Sequence, residues 1–185
     1  GGSSMKLNSC EINGALSVSG NVEAEACIIS ETVTVNNGGS LKSAGCAYGN
    51  IVNVKSGGTL EIVSGTFDKK LTAESGSEVK LSGGVYTEIA AESGAKLTIS
   101  GGEFTNITVN GQHLIDCLAE GKAFEDMNNG FIIDGRVGIA GNVKVVDHTH
   151  TCVWKTDTHE KLCGCGYVEA VDTEAPVISG IEPEN

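Results

Sequence analysis

The residues whose types could support chemistry are concentrated in one stretch, DHTHTCVWKTDTHEKLCGCGY, at 147–167. It holds three of the four histidines and three of the seven cysteines. A structural zinc ion takes four imidazole or thiolate ligands in a tetrahedron, usually from two short clusters. Two such clusters flank Trp154, and they predict a structural zinc site. Its candidate ligands are His148, His150, His159, Cys163 and Cys165.

Two other interpretations of this stretch remain open. The spacing Cys163-x-Cys165 is tighter than that of most zinc motifs, and Cys152 could form a disulfide with either of these cysteines. The histidines could also be solvated polar groups. A catalytic zinc is not expected, because it needs an open coordination position and a general base. Glu160 follows His159, but a cysteine stands where an H-E-x-x-H motif requires its second histidine, so no catalytic residue is predicted.

An internal repeat predicts the strands that must position this stretch. Copies of 18 or 19 residues follow one another as NGGSLKSAGCAYGNIVNVK, SGGTLEIVSGTFDKKLTAE, SGSEVKLSGGVYTEIAAE and SGAKLTISGGEFTNITVN, covering 37–110. Each has a glycine turn, an alternating strand, a glycine corner, an aromatic residue and a second short strand. A fixed period of this length indicates stacked repeats, each of which buries its apolar face against its neighbours.

The repeat predicts an all-β, right-handed parallel β-helix (β-solenoid). Alternation within each strand places Glu61, Lys80 and Thr98 outside and the apolar residues inside. The aromatic residues should form one ladder, Tyr48, Phe67, Tyr86 and Phe104. A second ladder should begin the following strands, at Ile51, Leu71, Ile89 and Ile107. A β-meander is the alternative, although its hairpins would need tighter turn signatures.

The remaining segments break the period. We interpret 1–4 as the remnant of an expression tag, 5–111 as the solenoid, 112–147 as a cap with a short helix and strands, 148–170 as the His/Cys-rich segment, and 171–185 as a linker and the first strand of an immunoglobulin-like module. The first 36 residues are read as one or two longer coils. Cys27 and Cys46 lie 19 residues apart and should stack in adjacent coils, as buried thiols rather than as a disulfide.

Composition excludes several classes of partner. The chain has 185 residues, 26 of them glycine, a net charge of −12 and a single arginine. Binding to nucleic acid or to an anionic membrane surface needs clustered Lys and Arg, so neither is expected. No apolar run approaches the roughly 18 residues that a membrane-spanning helix requires, so we expect no membrane insertion.

The repeats, the stretch LAEGKAF, the HTHT and CGCG motifs and the ending DTEAPVISGIEPEN occur together here. In this combination the chain resembles secreted, wall-anchored modular surface proteins of Gram-positive gut bacteria. In those proteins pectin-lyase-like β-helices alternate with small His/Cys segments and bacterial immunoglobulin-like repeats. The repeat also resembles the coils of autotransporter adhesins. The family's His-x-His and Cys-x-Cys-Gly pattern matches His148, His150, Cys163, Cys165 and Gly166, whereas Cys152 is an addition.

The resemblance implies an extracellular, cell-surface location. It also implies a non-catalytic role as a rigid spacer or adhesin-like segment, whose partners would be neighbouring modules of the same chain and a host glycan or host protein. We expect a monomer. The alternatives are a glycan-binding module, for which Trp154 and Tyr167 would supply aromatic surface, and a fragment of a polysaccharide-active β-helix enzyme. The enzyme would need paired carboxylates on adjacent coils, and only Glu74 and Glu92 recur at the coil period.

Overall fold

A computed structural model of the chain describes residues 4–130, 132–133, 138–149, 152–155, 160–163 and 168–171. It contains two compact units, Gly1–His148 and Thr149–Asn185. The first unit is a parallel β-solenoid of about 6 turns, which confirms the all-β fold class predicted from the repeat.

Each coil of the solenoid contributes one strand to a six-stranded parallel sheet and one or two strands to a second sheet. The first three coils contain β1 (Ser4–Asn8), β2 (Glu11–Ile12), β3 (Leu16–Val18), β4 (Asn21–Glu25), β5 (Ile28–Ile29), β6 (Val33–Val35), β7 (Ser40–Ala44), β8 (Cys46–Tyr48) and β9 (Val52–Val54). The last three contain β10 (Thr59–Ile62), β11 (Gly65–Ala73), β12 (Glu78–Leu81), β13 (Val85–Ala91), β14 (Lys96–Ile99) and β15 (Glu103–Val109).

The core is a set of side-chain ladders that run from coil to coil. In the aromatic ladder the ring centroids of Tyr48 and Phe67 lie 4.4 Å apart, those of Phe67 and Tyr86 4.7 Å, and those of Tyr86 and Phe104 5.1 Å. All four rings are at most 2% exposed. Stacked pairs of this kind contribute about 0.5–1.5 kcal/mol each beyond their burial. The predicted aromatic ladder is confirmed.

The structure corrects two details of the sequence-based register. The first 36 residues form two coils, which the prediction allowed, but neither coil is longer than the others, because Ser4 pairs with Asn21 and Asn21 with Ser40. The second ladder uses Val52 in place of Ile51, since Val52 is the register partner of Leu71. Ile51 is 39% exposed, whereas Val52 is fully buried. The turn after Tyr48 is one residue longer than the turns of the last two coils, and this shifts the inward position.

The C-terminal end of the solenoid is covered by a mostly antiparallel cap. The predicted short helix is a single 3-10 turn, Leu114–Cys117, and Phe124 lies in a strand rather than in that helix. The cap strands are β16 (Lys122–Asp126), β17 (Ile132–Ile133) and β18 (Gly138–Asp147). β18 pairs antiparallel with β15 of the last coil and with β16. This pairing occupies the strand edge that the last coil would otherwise expose.

The second unit contains a three-stranded antiparallel sheet. Its strands are β19 (Cys152–Lys155), β20 (Glu160–Cys163) and β21 (Val168–Val171). β20 lies between the other two. The strand predicted for an immunoglobulin-like module after this sheet lies outside the described residues.

Candidate functional site: the charged face and the histidine–cysteine segment

A row of charged side chains with alternating sign crosses the outer face of the six-stranded sheet. Its members are strict register partners on adjacent coils. In order the row reads Lys6, Glu23, Lys42, Glu61 and Lys80, and the uncharged Thr98 occupies the same position on the last coil. Since neighbouring strands of a sheet lie about 4.8 Å apart, each lysine ammonium can reach a carboxylate on an adjacent coil.

Ion pairs between coils connect neighbouring members of the row. Lys6 Nζ lies 2.8 Å from Glu23 Oε2, and Lys42 Nζ lies 2.6 Å from Glu61 Oε1. The hydrogen bond and positive charge of Lys6 hold the pKa of Glu23 below its usual range. Hydrogen bonding to Glu61 and the charge of that carboxylate raise the pKa of Lys42. Within this row, Glu23 and Glu61 are each compensated by a lysine of an adjacent coil.

A parallel row beside it adds a further charge cluster. Glu78 Oε1 lies 2.8 Å from the Nζ atom of Lys80, which is on the same strand. It lies 3.5 Å from the Nζ atom of Lys96, which is on the next coil. Hydrogen bonding to Lys80, followed by the charges of Lys80 and Lys96, lowers the pKa of Glu78. In the second sheet Lys70 pairs in register with Glu88, with 2.9 Å between Nζ and Oε1.

Glu74 and Glu92, the acids that recur at the coil period, both have structural partners. The Glu74 carboxylate forms an ion pair with Lys55 of the preceding coil. The Glu92 carboxylate accepts a hydrogen bond from the backbone N–H of Ser75 at 3.2 Å. Each acid therefore joins its turn to the turn of the preceding coil, which is a structural use of a carboxylate at this spacing.

Sequence reasoning missed the alternating row, although it placed Glu61, Lys80 and Thr98 on the outer face. It searched for like residues at the coil period, and a row of alternating sign has none. The register through the first two coils was also uncertain, so Lys6 and Glu23 had no assigned partners. A search for opposite charges one coil apart would have found the row.

One end of this face carries a surface groove of about 290 Å³. It is lined by residues of the first three coils, Lys6, Leu7, Asn8, Glu23, Ala24, Glu25, Lys42 and Ala44. Its charged walls are largely the same ion-paired residues, so the groove is mixed in charge and has no aromatic surface for stacking a sugar ring.

The predicted zinc ligands are distributed over both units. His148 follows β18 in the first unit, where its backbone N–H donates to the carbonyl of Gly121 at 2.9 Å. Cys163 ends β20 in the second unit. His150, His159 and Cys165 lie outside the described residues. Among the described residues, no group of three or more His, Cys, Asp or Glu side chains is arranged to hold a metal ion.

The backbone of the second unit bears on both interpretations of the cysteines. Cys152 and Cys163 are direct partners in the antiparallel pair β19–β20. Antiparallel partners have Cα atoms about 4.5–5.5 Å apart, within the range that a disulfide spans. β20 is extended from Glu160 to Cys163, a distance of about 10 Å along the strand.

The exposed aromatic surface differs between the two units. The five ring residues of the first unit that the structure describes in strands, Tyr48, Phe67, Tyr86, Phe104 and Phe124, are all buried. Trp154 in β19 is 53% exposed. The prediction that the repeat aromatics face inward is confirmed, and Trp154 is exposed as the glycan-binding alternative requires. Tyr167 lies outside the described residues.

Comparison of the chain with protein-family models, with curated proteins and with solved structures found no match. Across the part of the chain that the structure describes, no helix has the length and apolar character needed to cross a membrane.

Proposed function

We propose that this chain is a non-catalytic, load-resisting spacer module of a larger extracellular surface protein. The observation that carries the proposal is the alternating row Lys6–Glu23–Lys42–Glu61–Lys80 on the outer sheet face. A polysaccharide-cleaving β-helix uses acids on adjacent coils as a proton donor and a base or nucleophile. Here the acids at coil spacing neutralise lysines or bond to backbone, so they serve cohesion between coils.

Cohesion between coils is the property that a spacer needs. Each coil contacts only its neighbours, so the stability of the unit is close to a sum of coil–coil interfaces. Buried ladders supply most of that sum, and the ion pairs favour one register over a shifted one, because a slip would separate Lys42 from Glu61. The regular interface from the first coil to the cap supports a role in holding neighbouring modules apart.

The test combines a search for activity with a measurement of durability. The chain is incubated with a panel of plant, mucin and bacterial polysaccharides, and new reducing ends are counted. We expect no release above a buffer control. In parallel, trypsin and a glutamyl endopeptidase should leave a resistant fragment ending near Asp147, despite the many exposed Lys and Glu side chains. Release of reducing ends that is lost in Glu74→Gln or Glu92→Gln would overturn the proposal.

Glycan binding is the second candidate, and the exposure of Trp154 is the observation that favours it. Aromatic faces stack against sugar rings, and the other strand aromatics of the described chain are buried. A glycan array with the wild-type chain and Trp154→Ala tests this. Hits that disappear in Trp154→Ala would support a binding module, whereas an array without hits would contradict it.

The His/Cys segment would serve the same role by bracing the second unit with a structural zinc ion. The candidate ligands are the five named from the sequence, His148, His150, His159, Cys163 and Cys165. About one zinc per chain by elemental analysis, with Cys163 and Cys165 unmodified, is expected. Metal-free protein that has lost two thiols would instead indicate the Cys152–Cys163 disulfide.

A further inference from the structure

Three cysteines occupy the same corner position in the first three coils. Ile28 N–H donates to the Cys10 carbonyl at 2.8 Å, and Ala47 N–H donates to the Cys27 carbonyl at 2.9 Å, so Cys10, Cys27 and Cys46 are register partners. Each follows a residue in the left-handed backbone region, namely Ser9, Ala26 and Gly45. The corner therefore has the same backbone turn in all three coils, and the thiols stack.

The stack is not uniform. The Sγ atoms of Cys10 and Cys27 lie 2.9 Å apart. Cys46 Sγ instead accepts a hydrogen bond from the backbone N–H of Cys27 at 3.4 Å. Cys27 and Cys46 are each 1% exposed, whereas Cys10 is half-buried. Adjacent strands lie about 4.8 Å apart, which is within the Cα separation that a disulfide bridges. One pair is therefore in contact through sulfur and reachable from solvent.

We propose that Cys10 and Cys27 are a modification site, at which thiol–disulfide exchange with a small-molecule disulfide forms a reversible cross-link between the first two coils. The Cys10 thiolate attacks one sulfur of the oxidant, whose S–S bond breaks and releases one thiolate. The Cys27 thiolate then attacks the Cys10 sulfur of the mixed disulfide and displaces the second thiol. The two cysteines lose two electrons and two protons, and the oxidant is reduced to two thiols.

Exposure favours Cys10 for the first attack, and the electrostatics of the pair suit Cys27 for the second. Burial acts to raise the pKa of Cys27, but the hydrogen bonds to its sulfur outweigh burial and hold the pKa below the ordinary thiol value. Donation of the Cys10 thiol to Cys27, with burial, raises the pKa of Cys10. The buried partner is thus the one that carries thiolate for the second, intramolecular step.

The cross-link would act on the part of the solenoid with the least support. β1 and β2 are edge strands, each paired with a single neighbour. Edge elements open locally more readily than central ones. A Cys10–Cys27 bond closes a loop of 17 residues and joins the first coil covalently to the second. Oxidation should therefore suppress opening of the first coil.

Oxidation is performed on the full chain without denaturant. Alkylation and digestion follow on the unfolded protein, because the folded unit should resist both proteases. The protein is equilibrated with oxidised glutathione or with a reducing agent, and free thiols are alkylated. Trypsin leaves Cys10 and Cys27 in one peptide, 7–42, and Cys46 in another, so a glutamyl endopeptidase is added to cut after Glu11 and Glu25. We expect a linked Cys10–Cys27 peptide pair, lighter than the two thiol peptides by two hydrogens and lost on reduction.

Matched variants and a second measurement identify the pair and its effect. Cys46→Ala should keep the link and Cys10→Ser should abolish it. Amide exchange in β2 and β3, which lie inside the closed loop, should slow on the order of tenfold or more on oxidation of the wild type, but not of Cys10→Ser. Cys117, whose pKa burial and Asp116 raise to about 11, should remain a thiol. A Cys27–Cys46 link, an alkylated Cys10 after oxidation, or unchanged exchange in β2 and β3 would each overturn the proposal.

Discussion

The two halves of the solenoid fill the same corner in opposite ways. In coils 2 and 3 the inward residues just before the corner are small, Ala24 and Ser43, and a cysteine follows the corner. In coils 4 to 6 the residues before the corner are large, and glycine follows it. The large residues are Ile62, Leu81 and Ile99, and the glycines are Gly65, Gly84 and Gly102.

The difference shows that the same corner can be packed in two ways. A Cβ atom on Gly84 would lie 3.0 Å from Tyr86 Oη, and one on Gly102 would lie 3.1 Å from a ring carbon of Phe104. The rings thus occupy the space that thiols fill in the first coils. Coil 3 holds both Cys46 and Tyr48, because Ser43 is small and accepts the Tyr48 hydroxyl at 2.8 Å. The core is close-packed by different means in each half.

The largest expected effect comes from removing a ring from the aromatic half. Phe67 contacts rings on both sides, so Phe67→Ala should destabilise the first unit by about 3–5 kcal/mol, through lost burial, lost stacking and a cavity. Ile29→Ala, at the equivalent rung of the cysteine half, should cost about 2–4 kcal/mol. Both losses are measured by urea unfolding followed by far-UV circular dichroism. Tryptophan fluorescence would not serve, because the single tryptophan, Trp154, lies in the second unit. Equal losses would remove the energetic difference between the halves.

The glycine corner should be the next most sensitive position. Gly84 has φ 106°, and its missing Cβ is replaced by the Tyr86 hydroxyl group. Gly84→Ala should therefore cost about 2–4 kcal/mol from strain and overpacking. Gly45→Ala is the control, because φ is also positive there but a Cβ atom meets nothing closer than 3.9 Å. It should cost about 1 kcal/mol in the same urea titration. A Gly45→Ala loss as large as that of Gly84→Ala would show that backbone strain, and not the ring, sets the cost.

A double-mutant cycle tests whether the corner packing of the first half can be converted into that of the second. Ile29→Phe would extend the ring stack onto Tyr48 but would collide with the thiol at the corner, at a cost of about 1–3 kcal/mol. Adding Cys27→Gly should recover about 1 kcal/mol or more relative to the sum of the single changes. The four proteins are compared by urea midpoints at constant slope. If the free-energy changes of the two single substitutions simply add, the ring at position 29 and the side chain at position 27 do not compete for the same space.

The charged row runs through both halves, so its response should not depend on the half. Lys42→Glu would place three carboxylates in sequence with Glu23 and Glu61. The melting temperature should fall by about 2–4 °C at low salt, and salt should restore most of it by screening. Lys42→Met is the control, since it removes the pair without creating repulsion. A salt-independent loss would point to packing of the lysine stem instead.

The smallest effect is the acid dependence of the same row. The folded-state pKa values of Glu23 and Glu78 are lowered, so their contribution is fully present above the unfolded value, about 4.3. It is lost as the pH falls through the lower folded values. The melting temperature should therefore decline below about pH 4.3, and less steeply in Lys6→Met than in the wild type. The same decline in both proteins would show that the Lys6–Glu23 pair contributes nothing.

The His/Cys segment marks where sequence reasoning had the least support. Motif spacing predicts five zinc ligands, but spacing cannot show whether the three residues between His159 and Cys163 form a turn or a strand. β20 is a strand, which separates its two ends. Three of the five residues lie outside the described chain, so the ligand set remains a prediction.

The sequence by itself determined the solenoid, its aromatic ladder, its outward face and the presence of a cap, because period and alternation are local properties that every coil repeats. Only the tertiary structure decided register. It places Val52 and not Ile51 in the second ladder, and it aligns Gly65 with Gly84 and Gly102. It also pairs lysine with glutamate on adjacent coils and brings the Cys10 and Cys27 sulfur atoms into contact. Each of these pairings depends on the number of residues that connect two strands. A connection that is one residue longer or shorter changes which side chains meet. It does not alter the repeat from which the fold is predicted.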